Sequence, residues 1–128
     1  RWLEATLAPL PPETPIVVLT HRPLFDLAPR WDWATRDGAQ VMAVLQRWRN
    51  VTVFYGHIHQ EHHHMTGHIP HHSAKSLIFP LPAPGTQEKR APLPWDAAAP
   101  YRGLGFREIQ TSAGGRAFSL AEFPVVRS

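Results

Sequence analysis

The sequence predicts a mixed α/β fold, and three stretches carry that prediction. Pro15-Ile-Val-Val-Leu-Thr20 is a short, apolar, β-branched run opened by a proline, the pattern of a strand buried on both faces. Val51-Thr-Val-Phe-Tyr55 is a second such run, stopped by Gly56. Between them Val41, Val44, Leu45 and Trp48 recur at i, i+3, i+4 and i+7, an apolar stripe along one face of a helix. Strand, loop, helix, strand is a crossover unit, which most often makes its two strands parallel neighbours joined with a right-handed connection.

Taken in chain order, residues 1–8 have a helical pattern ended by Pro9, Pro11 and Pro12. After the first strand, residues 22–36 form a loop rich in Pro, Asp and Trp. Asp37 is placed to cap the helix over 37–49, and Gln40 three residues later completes a capping box. Arg47 and Arg49 fall in its last turn, where positive charge suits the helix dipole. Asn50-Val-Thr52 has the form of a glycosylation sequon, but it runs straight into a core strand. Ser76-Leu-Ile-Phe79 reads as a strand ending at Pro80, and residues 80–101 as a proline-rich wrapping loop without periodicity. Residues 104–110 and 116–123 read as two strands joined around Gly114-Gly115, a hairpin.

Composition narrows the function. With 128 residues, of which 43% are apolar, the chain fits one domain with a real core. A net charge of +3 from scattered arginines lacks the concentrated patch of a nucleic-acid binder. The absence of cysteine excludes disulfides and thiolate metal sites, so any metal is held by nitrogen and oxygen. No apolar run approaches the ~20 residues that span a bilayer. An opening on Arg1 and a helix tail reads as the C-terminal part of something longer.

Histidine is the informative residue. Eight of the nine lie in residues 53–72, and His21 is the ninth. If the two strands are parallel neighbours, their C-terminal ends share one edge of the sheet, the edge where open α/β sheets bind ligands. His21 is the first residue past one end, and His57 and His59 lie just past the other. Gly56, free to take φ > 0, would let the chain turn and direct both imidazoles into that mouth. Neutral imidazole is a strong ligand for zinc, iron and similar metals. Arg22 and Arg30 share the loop beside His21 and are candidates for contacting a phosphate bidentately, with solvent-facing arginines as the plainer reading. Trp31 and Trp33 read chiefly as packing residues. His62, His63, His64, His68, His71 and His72 read mostly as a polar loop rimming the cleft, with His62 the candidate to orient His57 or His59 from behind.

Thr20-His21-Arg-Pro-Leu-Phe25 after an apolar strand, followed by Tyr55-Gly-His57-Ile-His59, resembles the last two metal-binding blocks of calcineurin-like metallophosphoesterases. The order of elements agrees over residues 1–60, and the remainder to Arg107 resembles a bacterial subgroup of that family. The resemblance implies the C-terminal part of a four-layer α/β/β/α sandwich, with residues 1–128 as one portion of a single domain whose N-terminal half is missing. It implies a dinuclear site of Zn, Fe or Mn, in which His21 and His57 bind one ion and His59 the other. A phosphate mono- or diester would be hydrolysed by attack of a metal-bridging hydroxide. The subgroup often carries export signals, which implies a periplasmic location. The family's other blocks, Asp-x-His, Gly-Asp-x-x-Asp and Gly-Asn-His-Asp/Glu, do not occur in residues 1–128, so no catalytic residue is assignable and the fragment alone is expected to be inactive. Two other readings stand beside this one. One is a non-catalytic, histidine-rich metal-binding module. The other is a phosphoesterase-fold scaffold that only binds.

Overall fold

The computed structural model describes residues 1–112 and 118–126. The fold is mixed α and β, with two sheets and few helices. Helix α1 spans Trp2–Leu7 and α2 spans Gly38–Leu45; a 3-10 turn at Pro29–Trp31 lies between them. The first sheet holds β1 (Ile16–Thr20), β2 (Val51–Tyr55), β3 (His62–Thr66) and β4 (Ile69–Ser73), in the order β1-β2-β4-β3. The second holds β5 (Gly105–Thr111) and β6 (Phe118–Pro124), paired antiparallel. None of the helices among the described residues is long and apolar enough to cross a membrane.

The crossover unit forms as its pattern predicts. β1 and β2 pair in parallel, with Ile16 opposite Val51 and Thr20 opposite Tyr55, so both strands end at the same level. One face of the sheet is covered by the helices: Leu45, Met42, Trp48 and Leu7 pack on Ile16, Val51, Val53 and Ile69. Val41 and Val44 complete the stripe from partly buried positions. Leu45 is fully buried, and this stripe holds α2 to the sheet more than its own eight-residue helical propensity does. The β5–β6 hairpin leans on the other face, with the Phe118 ring 5.9 Å from that of Phe54 and 6.2 Å from that of His72.

Four expectations are corrected. β1 is not buried on both faces: Val17 and Leu19 are 55% and 76% exposed. β1 is an edge strand, while Phe118 packs against rings on β2 and β4. The tract behind His59 is not a loop. It is the β3–β4 hairpin, turned through two residues of which Gly67 has φ 62°, with Thr66 opposite Ile69. Ser76-Leu-Ile-Phe79 makes no strand; only Ser76 forms a bridge, to Leu104, while Leu77 and Ile78 are exposed. Asp37 precedes α2 as expected, but its side chain makes no capping bond, and α2 ends four residues short of the predicted 49. Arg47 and Arg49 fall beyond its end and form surface ion pairs at 2.8 Å with Glu4 and Glu13. The predicted strands at 104–110 and 116–123 match β5 and β6 closely, while Gly114-Gly115 lies outside the described residues.

Candidate functional site

The common level at which β1 and β2 end brings their next residues together. The Gly56 amide donates to the His21 carbonyl at 3.0 Å, extending the parallel ladder by one bond. His21 and His57 then face each other with Nε2 and Nδ1 3.1 Å apart and ring centroids 4.9 Å apart, edge to face. The turn itself is built differently from the glycine-led bend expected. Gly56 does not adopt positive φ; His57 and His59 do, at 67° and 55°. Ile58 explains this. Its side chain is fully buried in a cluster with Ala28, Trp31, Trp33 and Tyr55, and its amide donates to the Gly56 carbonyl at 2.7 Å. Anchoring Ile58 inward forces left-handed backbone on both neighbours, a conformation that stores on the order of 1 kcal/mol or more per residue and gathers at functional sites.

His59 is oriented by backbone. Its Nδ1 lies 2.8 Å from the Phe79 carbonyl, an acceptor only, so Nδ1 carries a proton and donates it there. This is the arrangement in which metal-binding imidazoles are usually held. The Phe79 ring stands 4.7 Å from the His59 ring, so the segment read as a strand instead backs the site.

The electrostatics keep the His57 ring neutral. Its pKa is lowered by burial first, then by the charges of Arg22, His21, Arg90 and His59, so it is neutral at pH 7. Its Nε2 is buried with no hydrogen-bond partner among the described residues. Trp33, almost wholly buried, closes the site from behind with its ring 6.4 Å from that of His57.

The donor set fits a shared cation at one point only. The nitrogen pair 3.1 Å apart forms an imidazole–imidazole hydrogen bond as it stands, and lies close to the separation of about 3.3 Å that two imidazoles take on one tetrahedral ion at bond lengths of about 2.0–2.1 Å. Among the described residues no three His, Cys, Asp or Glu side chains gather closely enough to hold an ion. The chain thus presents two converging nitrogens and one pre-oriented neighbour, not a closed shell.

The other candidates separate. Arg22 stays beside the site, its Nη1 donating to the Asp32 carbonyl at 2.9 Å. Arg30, on the 3-10 turn, lines a shallow cleft with Trp31, Asp32, Glu88, Lys89 and Arg90 rather than the histidine mouth. His62 is held by the Tyr55 hydroxyl at 2.7 Å from its Nδ1, not by His57 or His59.

Cross-strand pairing divides the rest of the tract between two faces. His62, His64 and His71 surround Phe25, whose ring stacks on His64 at 3.8 Å and meets His71 edge-on at 5.3 Å. His63 and His72 pair on the opposite face, Nδ1 to Nδ1 at 2.6 Å. His71 is fully buried with neither ring nitrogen partnered among the described residues, and burial pushes its pKa down to about 4. His68 leaves the tract altogether, its Nε2 bonding the Trp48 carbonyl at 2.8 Å.

Sequence reasoning missed Arg90 and the Phe79 carbonyl. Both come from irregular chain that no periodicity marks. No known family model matches this chain, and no curated protein matches it.

Proposed function

We propose that this chain supplies the histidine half of a dinuclear metal centre, in the C-terminal part of a four-layer α/β/β/α phosphoesterase that hydrolyses a phosphate mono- or diester. The observation that carries the reading is the 3.1 Å approach of His21 Nε2 to His57 Nδ1 across the ends of two parallel strands. The left-handed backbone at His57 and His59 and the Phe79 carbonyl behind His59 support it. His21 and His57 would hold one ion of Zn, Fe or Mn, and His59 Nε2 the other. Bound cations of this kind make water a nucleophile near neutral pH and offset charge on phosphoryl oxygens. The protein's own part is to keep His57 neutral, fix the tautomer of His59 and exclude water behind the mouth with Trp33 and Ile58. The acidic blocks that complete such a centre are absent from residues 1–128, so this reading requires them from elsewhere and expects no turnover from these residues alone.

A metal-buffering module is the second reading, and the 2.6 Å approach of His63 to His72 favours it. Calorimetric titration of Zn²⁺ into the chain separates the two. The phosphoesterase reading expects His21→Ala and His57→Ala each to weaken the tightest ion by at least about tenfold, with His63→Ala leaving it alone. Several weak ions, indifferent to His21 and His57 but lost with His63, would replace it with the buffering module.

A further inference from the structure

Two guanidinium groups meet at the Asp32 carbonyl, one of them from the residue next to His21. Arg22 follows His21 in the chain, and its Nη1 donates to the Asp32 carbonyl at 2.9 Å. Arg90 arrives from the proline-rich segment, and its Nη1 donates to the same oxygen at 3.2 Å and to the Trp31 carbonyl. Sharing one acceptor, the two Nη1 atoms lie no further apart than the sum of 2.9 Å and 3.2 Å, about 6 Å.

Little offsets this concentration of positive charge. The Asp32 carboxylate lies 3.8 Å from Arg22 Nη1 but is 67% exposed, so solvent screens it. Arg90 forms no ion pair among the described residues. Nor do Nε and Nη2 of either arginine make a hydrogen bond there, which leaves the outer donors of both forks open. The two arginines are nevertheless held in place. Asp32 sits in a left-handed turn at φ 51° that offers its carbonyl to both, and Trp31 Nε1 ties the approaching chain down by bonding the Glu88 carbonyl at 3.2 Å.

We propose that Arg22 and Arg90 form an oxyanion site beside the His21–His57 pair, and that the anion is the phosphoryl group of a phosphate ester. A tetrahedral phosphate has enough acceptor oxygens to meet two guanidinium forks, and a guanidinium matches two of them at once. Its ester substituent would run away from the histidines along the shallow cleft that Arg90 shares with Arg30, Trp31 and Glu88. The naming of phosphate rests on the phosphoesterase reading, whereas the anion site rests on the two arginines.

The test uses inorganic phosphate, titrated at low ionic strength into the metal-stripped chain. Arg22→Gln and Arg90→Gln are each expected to weaken binding by about tenfold or more, the usual loss for a charge-assisted hydrogen bond. Arg102→Gln removes an arginine paired with Asp96 at 3.2 Å and is expected to change nothing. Arg90 also braces the Trp31 turn, so Arg90→Lys, which keeps the charge without the fork, provides a milder variant and is expected to fall between. Equal losses in Arg90→Gln and Arg102→Gln would overturn the proposal, as would wild-type affinity in Arg90→Gln or Arg90→Lys. Zinc titration of Arg90→Gln separates the two claims. Arg90-dependent phosphate binding in a chain that holds no zinc at His57 would keep the anion site and remove the phosphoesterase reading. Zinc binding that depends on His57, with phosphate affinity indifferent to Arg90, would do the reverse.

Discussion

Gly38→Ala sets two well-measured effects against each other. Gly38 opens α2, and by propensity alone alanine there stabilises, by about 0.5–1 kcal/mol. The structure reverses the sign. A Cβ at Gly38 would lie 2.4 Å from the Leu24 carbonyl oxygen, 2.9 Å from its carbon and 3.1 Å from its Cα. All three atoms are backbone, so no rotamer change relieves the contact and the 22–25 loop must move by close to 1 Å. That loop is pinned: the Thr35 amide donates to the Pro23 carbonyl at 2.8 Å, and Leu24 is buried in the main core. Overpacking of this kind costs about 1–3 kcal/mol, and a backbone clash belongs at the upper end. The net expectation is a loss of about 2 kcal/mol, or a Tm lower by roughly 8 °C for a chain of this size. Thermal unfolding followed by circular dichroism reads it directly. The same displacement would carry His21 away from His57, so zinc affinity is expected to fall in the same variant. A Tm equal to or above that of the parent protein would refute the reasoning, because propensity would then have won and Gly38 would not be tight against Leu24.

Two further outcomes are expected from the core and the histidine tract. Leu45→Ala removes a fully buried side chain from the main cluster and should destabilise by about 2–5 kcal/mol in urea denaturation; a loss below 1 kcal/mol would mean that α2 is not anchored there. Acidification should destabilise the fold through His71. Its folded pKa of about 4 lies below the ordinary value of 6.5, so the unfolded chain binds more protons between those values and stability falls as pH falls from 6.5 to 4. For His71 the loss from pH 7 to pH 5 is on the order of 2 kcal/mol, with His72 acting in the same direction. Equal unfolding free energies at pH 7 and pH 5 would exclude a buried, neutral His71.

What the sequence disclosed follows from which residues carried its periodicity. β1, α2 and β2 were legible because Ile, Val, Leu and Trp were spaced as strands and helices space them, and that spacing alone put His21 and His57 at one edge. The β3–β4 hairpin was hidden because histidine has no fixed preference for inside or outside. His71 is wholly buried while His63, on the neighbouring strand, faces solvent, so alternation in burial exists without alternation in residue type. The usable signal was Gly67, with Met65 and Ile69 flanking it, an apolar frame around a two-residue turn. Ser76-Leu-Ile-Phe79 misled for the opposite reason. It has the composition of a strand, but a run of four ending at a proline found a partner at one residue only.

The site was half legible for a related reason. Residues that follow a strand inherit its direction, so His21, His57 and His59 could be placed from local sequence. Arg90 could not, because it reaches Trp31 and Asp32 across 58 and more residues of chain with no regular element near it. Its position depends on the Trp31–Glu88 bond and on the left-handed Asp32 turn, and neither has a periodic signature. The strained residues show the same division. Left-handed backbone was expected at Gly56, where it is cheap, but it falls on His57 and His59, where it is not. The burial of Ile58 accounts for the difference: one apolar side chain drawn into the Trp31–Trp33–Tyr55 cluster turns both flanking imidazoles out of the core and holds them there. Where the two imidazoles point is thus decided by the isoleucine between them.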